Sequence, residues 1–538
     1  MAKENLIDEK AVLNKLFFLQ GDGLKVENKK IGVFYSAGST AGNETGVYNL
    51  AKSVKAGIIN KGYTPVLIPV KTTHPLYLYV NHNENYAPIE IKNIISTVEV
   101  NQTLHNFDGF VFVPMGEYAI NAFLQVAIKL NLPSLFVGTG ANMPSVVNGR
   151  TYTQGTIFSL VAEHNLNLID DKKFKRELDT YMPTLGEGEG LTYGNALNIA
   201  LEVLSVALPG NGTILADSAE RYNLAFRTGE TICNLVEDQL VTRKLLTKAN
   251  FLNAISVLLA LGFNSHPIEI LLERSSECAN TISLSALSDL NNKTPLLASV
   301  FPNGKNYVSD LNLAGGVKAV LKSLQNAGVF NARGTNTNAE LIESEISKTT
   351  ITNTEVIRDA KVNPLLPSKP LSIVSGNLAE QNGFLNRAGI FRNLNGFSGY
   401  ARVFDSEADA CRSVYAGRIK KGDAIVVKNQ GNSPVPGVLT VNEIQAAVNA
   451  AGLEKDVAII TDGIQSPYFA NIIVSGIKKP TASGEGIALV YEDDIVDIDI
   501  EDDRINAKIT AKDFSTRRRN FMPAKNRDDV KDYEKYLK

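Results

Sequence analysis

A glycine-rich turn that runs straight into an apolar segment constrains the fold more than any other feature of this chain. Residues 186–190 read Gly-Glu-Gly-Glu-Gly, and leucines then recur every three or four positions from Leu197 to Leu208. This spacing predicts a helix with one buried stripe, which ends at the strong breaker Pro209-Gly210. Backbone N–H groups are unpaired at the start of a helix, so the turn is either a site for an anion or a metal-bound acid, or a plain structural turn.

Strand-like and helix-like segments alternate before this turn. Short apolar runs of strand length occupy residues 30–35, 107–114 and 134–137. The segments 50–58 and 119–130 between them have helical patterns. This alternation predicts an α/β layer structure with parallel strands, and helices are expected to dominate the region that follows.

The composition changes after residue 330, where Asn, Thr, Ser and Pro become frequent up to residue 370. Beyond this stretch, apolar runs separated by glycine-rich turns predict strands that form a compact barrel. The predicted fold class is therefore α/β, with a large N-terminal α/β domain and a smaller C-terminal β-rich, barrel-like domain. We place the first domain at 1–350, a linker at 351–370 and the second domain at 371–538. The predicted strands of the second domain include residues 371–376, 423–429, 456–463, 487–494 and 495–503.

Composition and charge exclude several classes of function. The net charge of −3 gives no broad electrostatic attraction for nucleic acid or an anionic membrane. No apolar run reaches the roughly 18 residues that a membrane span needs. The cysteines Cys233, Cys278 and Cys411 lie far apart, which indicates small core residues and neither disulfides nor a zinc site. Because the N-terminus is also polar and mixed in charge, we expect a cytoplasmic protein that binds neither nucleic acid nor membranes.

The segment from Pro183 to Gly212 resembles, without a gap, a motif of the dihydroxy-acid dehydratase and phosphogluconate dehydratase family. That motif reads P-T-C-G-S-C-S-G-M-F-T-A-N-S-M and is followed by a helix ending in L-P-G. The resemblance extends over roughly residues 31–523 and implies a pocket between two domains in a homodimer or homotetramer. Other stretches that resemble the family in the same order read GFVFVPMG, NLPSLFVGTG, NLAGGVKAVLKSL, SGNLAEQNGFLNRAG and IITDGIQSPYFAN.

The chemistry of that family depends on an iron–sulfur cluster held by three cysteines, whose open iron polarises the leaving hydroxyl group. Matched by position, the three cysteines fall on Asn43, Gly116 and Gly188. Asparagine and glycine cannot replace thiolates, and the cysteines of this chain lie outside these motifs. The resemblance therefore implies that the family cluster is absent here.

The family also binds magnesium through carboxylates and a carbamylated lysine. Its Cys-Asp-Lys motif corresponds to Gly116-Glu117-Tyr118, and its C-terminal glutamate falls on Thr440. A further acidic motif falls near residues 72–74, where no acid is present. Glu117 is then the one acid retained, and a single carboxylate makes a poor magnesium site. We therefore expect no metal ion and no cofactor.

A serine alkoxide is the base in the family, and its position corresponds to Ser466 in the stretch Thr-Asp-Gly-Ile-Gln-Ser. Without metals, a serine hydroxyl is a weak base at neutral pH unless another group activates it. His266 falls where the family has a pocket asparagine, and a hydrogen-bonded interior histidine is the alternative reading. Ser466 is the candidate catalytic residue. The candidate substrate-binding residues are Asn43, Glu117, Tyr118, Gly188, His266 and Asp462.

Three hypotheses on function follow from the resemblance. The first is a divergent dehydratase-like protein that acts on or binds a small hydroxylated carboxylic acid without the cluster and without magnesium. The second is a catalytically inactive relative with a binding, regulatory or assembly role. The third is an ordinary dihydroxy-acid dehydratase of branched-chain amino-acid synthesis, against which the missing ligands argue directly.

Overall fold

A computed structural model describes most of the chain, and its secondary structure divides into an N-terminal α/β part and a C-terminal β-rich part. No helix within the described ranges is long and apolar enough to cross a membrane. The described residues are 29–38, 43–81, 83–181, 184–331, 334, 336–337, 344, 346–390, 395–431, 439–478 and 481–522.

The N-terminal part is built on a parallel sheet of four strands in the order β2-β1-β3-β4. Strand β3 has the sequence GFVFV and is buried at every position, as expected for a strand covered on both faces. This sheet confirms the predicted α/β layer structure. Its strands are β1 (Lys30–Ala37), β2 (Thr64–Lys71), β3 (Gly109–Val113) and β4 (Ser134–Phe136), and a separate hairpin consists of β5 (Ser145–Val147) and β6 (Arg150–Tyr152).

Helices surround this sheet and continue through the region where the sequence predicts them. They are α1 (Glu44–Asn60), α2 (Pro75–Val80), α3 (Ala87–His105), α4 (Glu117–Leu130), α5 (Gln154–Asn165), α6 (Asp171–Thr180), α7 (Tyr193–Val203), α8 (Ala219–Glu237), α9 (Thr242–Leu245), α10 (Lys248–Leu261), α11 (Ser265–Glu277), α12 (Leu284–Asn291), α13 (Val308–Leu313) and α14 (Gly316–Asn326).

Helices α1 and α8 cross at two glycines. A Cβ atom on Gly57 would lie 2.0 Å from the carbonyl oxygen of Phe226, and one on Gly229 would lie 2.2 Å from that of Val54. Any larger residue at either position would push the two helices apart, because backbone atoms cannot yield as a side chain can.

The helix that follows the glycine-rich turn is α7, and it differs from its prediction in two respects. It is buried on all sides and not along one stripe, since Glu202 is its one residue that is not fully buried. It also ends at Val203, before the predicted breaker Pro209-Gly210, because Ser205 adopts a left-handed backbone conformation with φ of 62°. Because α7 is buried on all sides, neighbouring elements pack around it.

The C-terminal part contains a mixed sheet of eight strands in the order β16-β15-β9-β10-β12-β14-β8-β7. A bridge between Ser375, which follows β7, and Arg504 in β16 brings its two edges together, so the sheet is nearly closed. This arrangement confirms the predicted barrel-like domain. The strands of this part are β7 (Leu371–Val374), β8 (Gly383–Asn386), β9 (Gly396–Phe404), β10 (Asp423–Val427), β11 (Thr440–Val441), β12 (Ala458–Thr461), β13 (Ile464–Gln465), β14 (Ile472–Ser475), β15 (Ile495–Asp499) and β16 (Arg504–Ala507), and its helices are α15 (Glu407–Tyr415), α16 (Glu443–Ala450) and α17 (Ala511–Asn520).

The predicted strand at residues 487–494 is wrong. A short 3₁₀ helix, Gly486–Leu489, takes its place. The buried Lys428 explains the difference, because its ammonium group donates to the carbonyl oxygens of Ala488 and Val490 at 3.0 and 2.7 Å. These two bonds anchor the segment in a conformation other than a strand.

The predicted linker at 351–370 has no helix or strand of its own, yet part of it packs closely against the N-terminal part. Val356 and Ile357 belong to the main hydrophobic core, and Leu366 forms a bridge with Leu296. Leu371 and Phe384 of the C-terminal sheet join the same core. The two parts of the chain therefore share a continuous apolar contact.

Candidate active site between the two parts of the chain

Two cavities meet between the N-terminal helices and the C-terminal sheet. We call the smaller one, of about 50 Å³, the inner cavity, and the larger one, of about 490 Å³, the outer cavity. Glu117, Tyr118 and Thr440 line both of them, so these residues form the boundary between the two spaces. A cleft between two parts of a chain is a common place for a small-molecule site.

The pair of Glu117 and His266 lies at this boundary. Glu117 begins α4, and His266 lies in the first turn of α11. The His266 Nε2 atom forms a hydrogen bond with the Glu117 carboxylate. The positive end of the helix dipole of α4 favours the negative charge of Glu117. Burial lowers the pKa of His266, but the charge and hydrogen bond of Glu117 outweigh burial, so its pKa is raised overall. The Glu117 carboxylate therefore favours the protonated form of His266, and an imidazole in such a pair is suited to proton transfer.

Tyr193 is the third member of this group and connects the two parts of the chain. Its ring lies edge-on to the His266 ring, with 4.8 Å between the centroids. Its hydroxyl group donates to the backbone carbonyl of Gln465 and accepts a bond of 3.0 Å from the Asn264 side chain. Burial raises the pKa of Tyr193, so the hydroxyl keeps its proton.

The glycine-rich turn presents a carboxylate to the inner cavity. The Glu187 carboxylate accepts bonds from the Gly116 N–H at 3.0 Å and from the Thr139 hydroxyl at 2.8 Å. Burial raises the pKa of Glu187 to about 7. The N–H groups of Glu187 and Leu191 donate to the carbonyls of Gly140 and Phe301, so they are not available to an anion.

Two more titratable groups line the inner cavity. Burial raises the pKa of Glu84 to about 8, although its carboxylate accepts a bond of 3.3 Å from the Thr440 N–H. Burial lowers the pKa of His74 to about 4, so this imidazole is neutral at pH 7. Its Nδ1 atom accepts from the Leu76 N–H at the start of α2, which assigns it a capping role.

The outer cavity carries the positive charges of the cleft. Lys478 lies at its edge and forms an ion pair with Glu269. Arg274 is 6% exposed and pairs with Glu277 at 3.1 Å, but its Nε donor has no hydrogen-bond partner among the described residues. A buried donor without a partner is costly, and the charge of Arg274 is balanced by Glu277 and by Glu273, which lies at 3.2 Å.

The predicted residues of the C-terminal part are mostly engaged in internal bonds. Asp462 touches the outer cavity, but its carboxylate accepts from the N–H groups of Gln430 and Thr481 at 2.9 and 3.0 Å and from the Thr481 hydroxyl. Ser466 is 1% exposed and lines neither cavity. Its hydroxyl accepts a long bond of 3.3 Å from the Tyr468 N–H.

Asn43 and Gly188 also lie outside the linings of the two cavities. The Asn43 side chain caps α1 by accepting from the Gly46 N–H at 3.1 Å. The Gly188 carbonyl accepts from the Asn142 N–H and the Asn195 side chain, both at 2.9 Å. Of the predicted site residues, Glu117, Tyr118 and His266 therefore lie together at the cavities. Asn43, Gly188 and Ser466 lie outside the cavity linings, and Asp462 touches the outer cavity with its carboxylate already bonded.

Sequence reasoning missed several residues that line the inner cavity. Glu187 and Tyr193 lie inside the stretch from Pro183 to Gly212, where the local pattern predicts a turn and a helix but does not indicate which side chains face a cavity. Glu84 and Tyr468 carried no local signal, because they reach the cavity through long-range packing.

The positions of the family cysteines do not fit thiolate ligands. A Cβ atom on Gly188 would lie 2.5 Å from the Thr192 side chain, and one on Gly116 would lie 3.0 Å from Pro75. Both glycines have positive φ angles, 118° and 86°, which disfavour any side chain. Cys233 and Cys411 are buried in α8 and α15, away from both linings. Within the described ranges, no group of three or more His, Cys, Asp or Glu side chains could hold a metal ion.

The fold thus defines a two-part α/β and barrel protein with a cleft at the junction. Family models of the dihydroxy-acid/6-phosphogluconate dehydratase N-terminal and C-terminal domains match residues 29–344 and 355–538. The chain therefore belongs to the dihydroxy-acid/6-phosphogluconate dehydratase family.

Similar proteins named dihydroxy-acid dehydratase occur in several bacteria. The protein of Caldanaerobacter subterraneus is 30% identical over 491 residues, which is 91% of this chain and 88% of that protein. The protein of Carboxydothermus hydrogenoformans is 29% identical over 488 residues, with the same coverage of 91% and 88%. That of Clostridium kluyveri is 29% identical over 515 residues, covering 96% and 92%.

Proposed function

We propose that this family member binds a small hydroxylated carboxylic acid in the interdomain cleft and dehydrates it without an iron–sulfur cluster and without magnesium. The observation that carries the proposal is the Glu117–His266 pair at the boundary of the two cavities. The positive side chains of Arg274 and Lys478, which line the outer cavity, support the binding of a carboxylate there.

The proposed reaction is the loss of water from a hydroxy acid with hydroxyl groups on two adjacent carbons. A base removes the proton from the carbon next to the carboxylate, and the hydroxyl group on the neighbouring carbon leaves as water. The enol that results rearranges to a 2-oxo acid, so no oxidant or reductant is needed. We assign His266, whose protonated form is favoured by its pairing with Glu117, to protonate the leaving hydroxyl group.

Ser466 keeps its predicted acid–base role as part of the proposal. A serine hydroxyl needs an activating neighbour for this task, and the described partner of its oxygen is the N–H of Tyr468, a residue that lines the inner cavity. The proposal keeps Tyr118, which lines both cavities, as a ligand residue, and it keeps Asn43, Gly188 and Asp462 as supporting residues around the cleft. The proposed assembly is a cytoplasmic homodimer or homotetramer, which mass measurement of the purified chain tests.

The test combines metal analysis with an activity screen. Protein purified without oxygen should be colourless, with well under one iron per chain. We expect 2-oxo acid from a panel of 2,3-dihydroxy acids and sugar acids, unchanged by a chelator and lost in Glu117→Gln and His266→Asn. A brown protein with stoichiometric iron, or turnover that the chelator abolishes, contradicts the proposal.

A second candidate function is that of an inactive relative that binds its ligand for regulation or assembly. The observation in its favour is that Asp462 and Ser466 on the barrel side use their hydrogen bonds internally. Saturable binding of a hydroxy acid with no product from any member of the panel would select this function.

A further inference from the structure

The two carboxylates of the glycine-rich turn have different surroundings. Glu187 lines the inner cavity, whereas Glu189 lines neither cavity. The Glu189 carboxylate accepts bonds from the Gln154 N–H and the Tyr181 hydroxyl, both at 3.2 Å. Both side chains are buried, with 4% and 2% exposure, so burial alone does not distinguish them. Of the two, Glu187 is the one placed to meet a ligand in the inner cavity.

The two oxygen atoms of the Glu187 carboxylate are held differently. Oε1 accepts from the Thr139 hydroxyl at 2.8 Å and from the Gly116 N–H at 3.0 Å. Oε2 shares that N–H at 3.1 Å, and a Cβ atom on Gly194 would lie 2.1 Å from it. Gly194 itself lines the inner cavity. The loops therefore fix Oε1 and leave Oε2 over Gly194, where the absence of a side chain makes room for it.

The other carboxylates of the inner cavity are less suited to accept a proton. Glu117 is bonded to His266, and burial raises the pKa of Glu84 to about 8, which keeps that group protonated at neutral pH. Burial raises the pKa of Glu187 to about 7, so a large share of this group is ionised at neutral pH. A general base works best when its pKa lies near the operating pH.

Ser466 is also less suited to take a proton from a ligand directly. It lines neither cavity, and its oxygen accepts from the Tyr468 N–H, a group that cannot remove the hydroxyl proton. A serine becomes a base only when a neighbour takes its own proton. Glu187 needs no such neighbour.

We propose that Glu187 is the base that removes the proton from the carbon next to the carboxylate, while His266 protonates the leaving hydroxyl group. Of the two cavities, Glu187 lines the inner one and His266 the outer one, with Glu117 and Tyr118 at the boundary between them. The inner cavity, of about 50 Å³, admits a small part of a ligand such as this C–H group. The inference rests on the proposed function, because it names the base of that reaction.

The proposed step balances in atoms and charge. The Glu187 carboxylate takes the hydrogen as a proton, and the electron pair of the C–H bond forms the double bond to the neighbouring carbon. The carbon–oxygen bond there breaks with its electron pair on the oxygen, and the proton from His266 completes the water molecule. Glu187 and His266 both end neutral, so the total charge of the cleft is unchanged. Ser466 is left with the later proton transfer that converts the enol to the 2-oxo acid.

Glu187→Gln tests the assignment, with Glu189→Gln as the matched control. The control makes the same change two residues away, in the same turn and at similar burial. With the panel of 2,3-dihydroxy acids, starting from glycerate, Glu187→Gln should lower kcat about 100-fold or more, since a general base contributes about 10²–10⁴-fold. Glu189→Gln should keep the kcat of wild type.

Binding is measured separately with lactate, which has the carboxylate and the C–H group but no second hydroxyl group to lose. Isothermal titration calorimetry should show that Glu187→Gln binds lactate no more weakly than wild type, because glutamine keeps the shape of the side chain. A parallel loss of lactate affinity and turnover would make Glu187 a structural residue and overturn the inference.

Glu187→Ala gives a second test that a structural role would not pass. Formate supplies a small carboxylate to the space that the side chain leaves. Formate should therefore restore turnover that chloride at the same concentration does not restore. Equal activities of this variant in formate and in chloride contradict the role of Glu187 as the base.

The inference and the proposed function fail in different ways. Wild type that dehydrates no member of the panel contradicts the proposed function and the base with it. Turnover that Glu187→Gln retains overturns the inference alone and leaves the proposed function standing.

Discussion

The two walls of the interdomain cleft use their polar side chains differently. On the N-terminal wall, Glu84 and Glu117 line the cavities, with the Thr440 N–H and the His266 ring as their hydrogen-bond partners. On the C-terminal wall, Asp462 accepts three bonds from its own loops and Ser466 is buried beside α16. A polar residue beside a cleft is therefore available to a ligand only where the surrounding loops do not already satisfy its hydrogen-bonding groups.

The largest expected effect comes from Asp462→Ala. The substitution leaves the N–H groups of Gln430 and Thr481 and the Thr481 hydroxyl without their acceptor. Each buried donor without a partner costs free energy, so we expect a loss of about 4 kcal/mol in the free energy of unfolding, measured by denaturant titration.

A matched control for this prediction is Asp497→Ala. Asp497 forms an ion pair with Lys508 at the surface, and exposed pairs contribute about 0–1 kcal/mol. If Asp462→Ala keeps wild-type stability but loses ligand binding, then Asp462 is a ligand residue and the distinction between the two walls is wrong.

Local pattern was enough to predict the elements, while long-range contacts decided the site. The apolar spacing of α7 and the short apolar runs of the parallel sheet are properties of neighbouring residues, so the sequence predicts them. The bond between Glu117 and His266 joins residues 149 positions apart, and only the packing of α4 against α11 brings them together. The prediction of a strand at 487–494 was wrong for the same reason, because the contact with Lys428 joins residues 60 positions apart in the chain.

The second prediction concerns the pH dependence of stability on the N-terminal wall. Burial raises the pKa of Glu84 from 4.5 to about 8, so the folded state holds this proton more tightly than the unfolded state. The stability that it contributes is fully present below pH 4.5 and is lost as the pH rises through 8. Between pH 5 and pH 9, wild type should lose about 3 kcal/mol more than Glu84→Gln does.

Chemical denaturation at a series of pH values checks this expectation. Glu273→Gln serves as the control, because the side chain of Glu273 is 67% exposed and its substitution should leave the pH profile unchanged. Parallel pH profiles for wild type and Glu84→Gln would mean that this carboxyl group is solvated, which removes the contrast between the walls.

A third prediction tests the contact that joins the two walls. Tyr193→Phe removes the bond to the Gln465 carbonyl and leaves the Asn264 side chain without one partner. We expect a loss of about 1–2 kcal/mol in the free energy of unfolding. The control is Tyr77→Phe, since the Tyr77 side chain is half exposed. Equal stabilities for the two variants would show that the contact across the cleft contributes nothing measurable.

The smallest expected effect on stability is that of Ser466→Ala. The lost hydroxyl group makes one long bond of 3.3 Å with the Tyr468 N–H, and the bond of 2.7 Å from the Ser466 N–H to Gln445 is a backbone contact that alanine keeps. The free energy of unfolding should therefore fall by less than about 1 kcal/mol. Measured beside turnover or ligand affinity, this variant separates two roles. A small change in stability with a large loss of activity assigns chemistry to the C-terminal wall, while a loss above about 2 kcal/mol makes the serine a structural residue like Asp462.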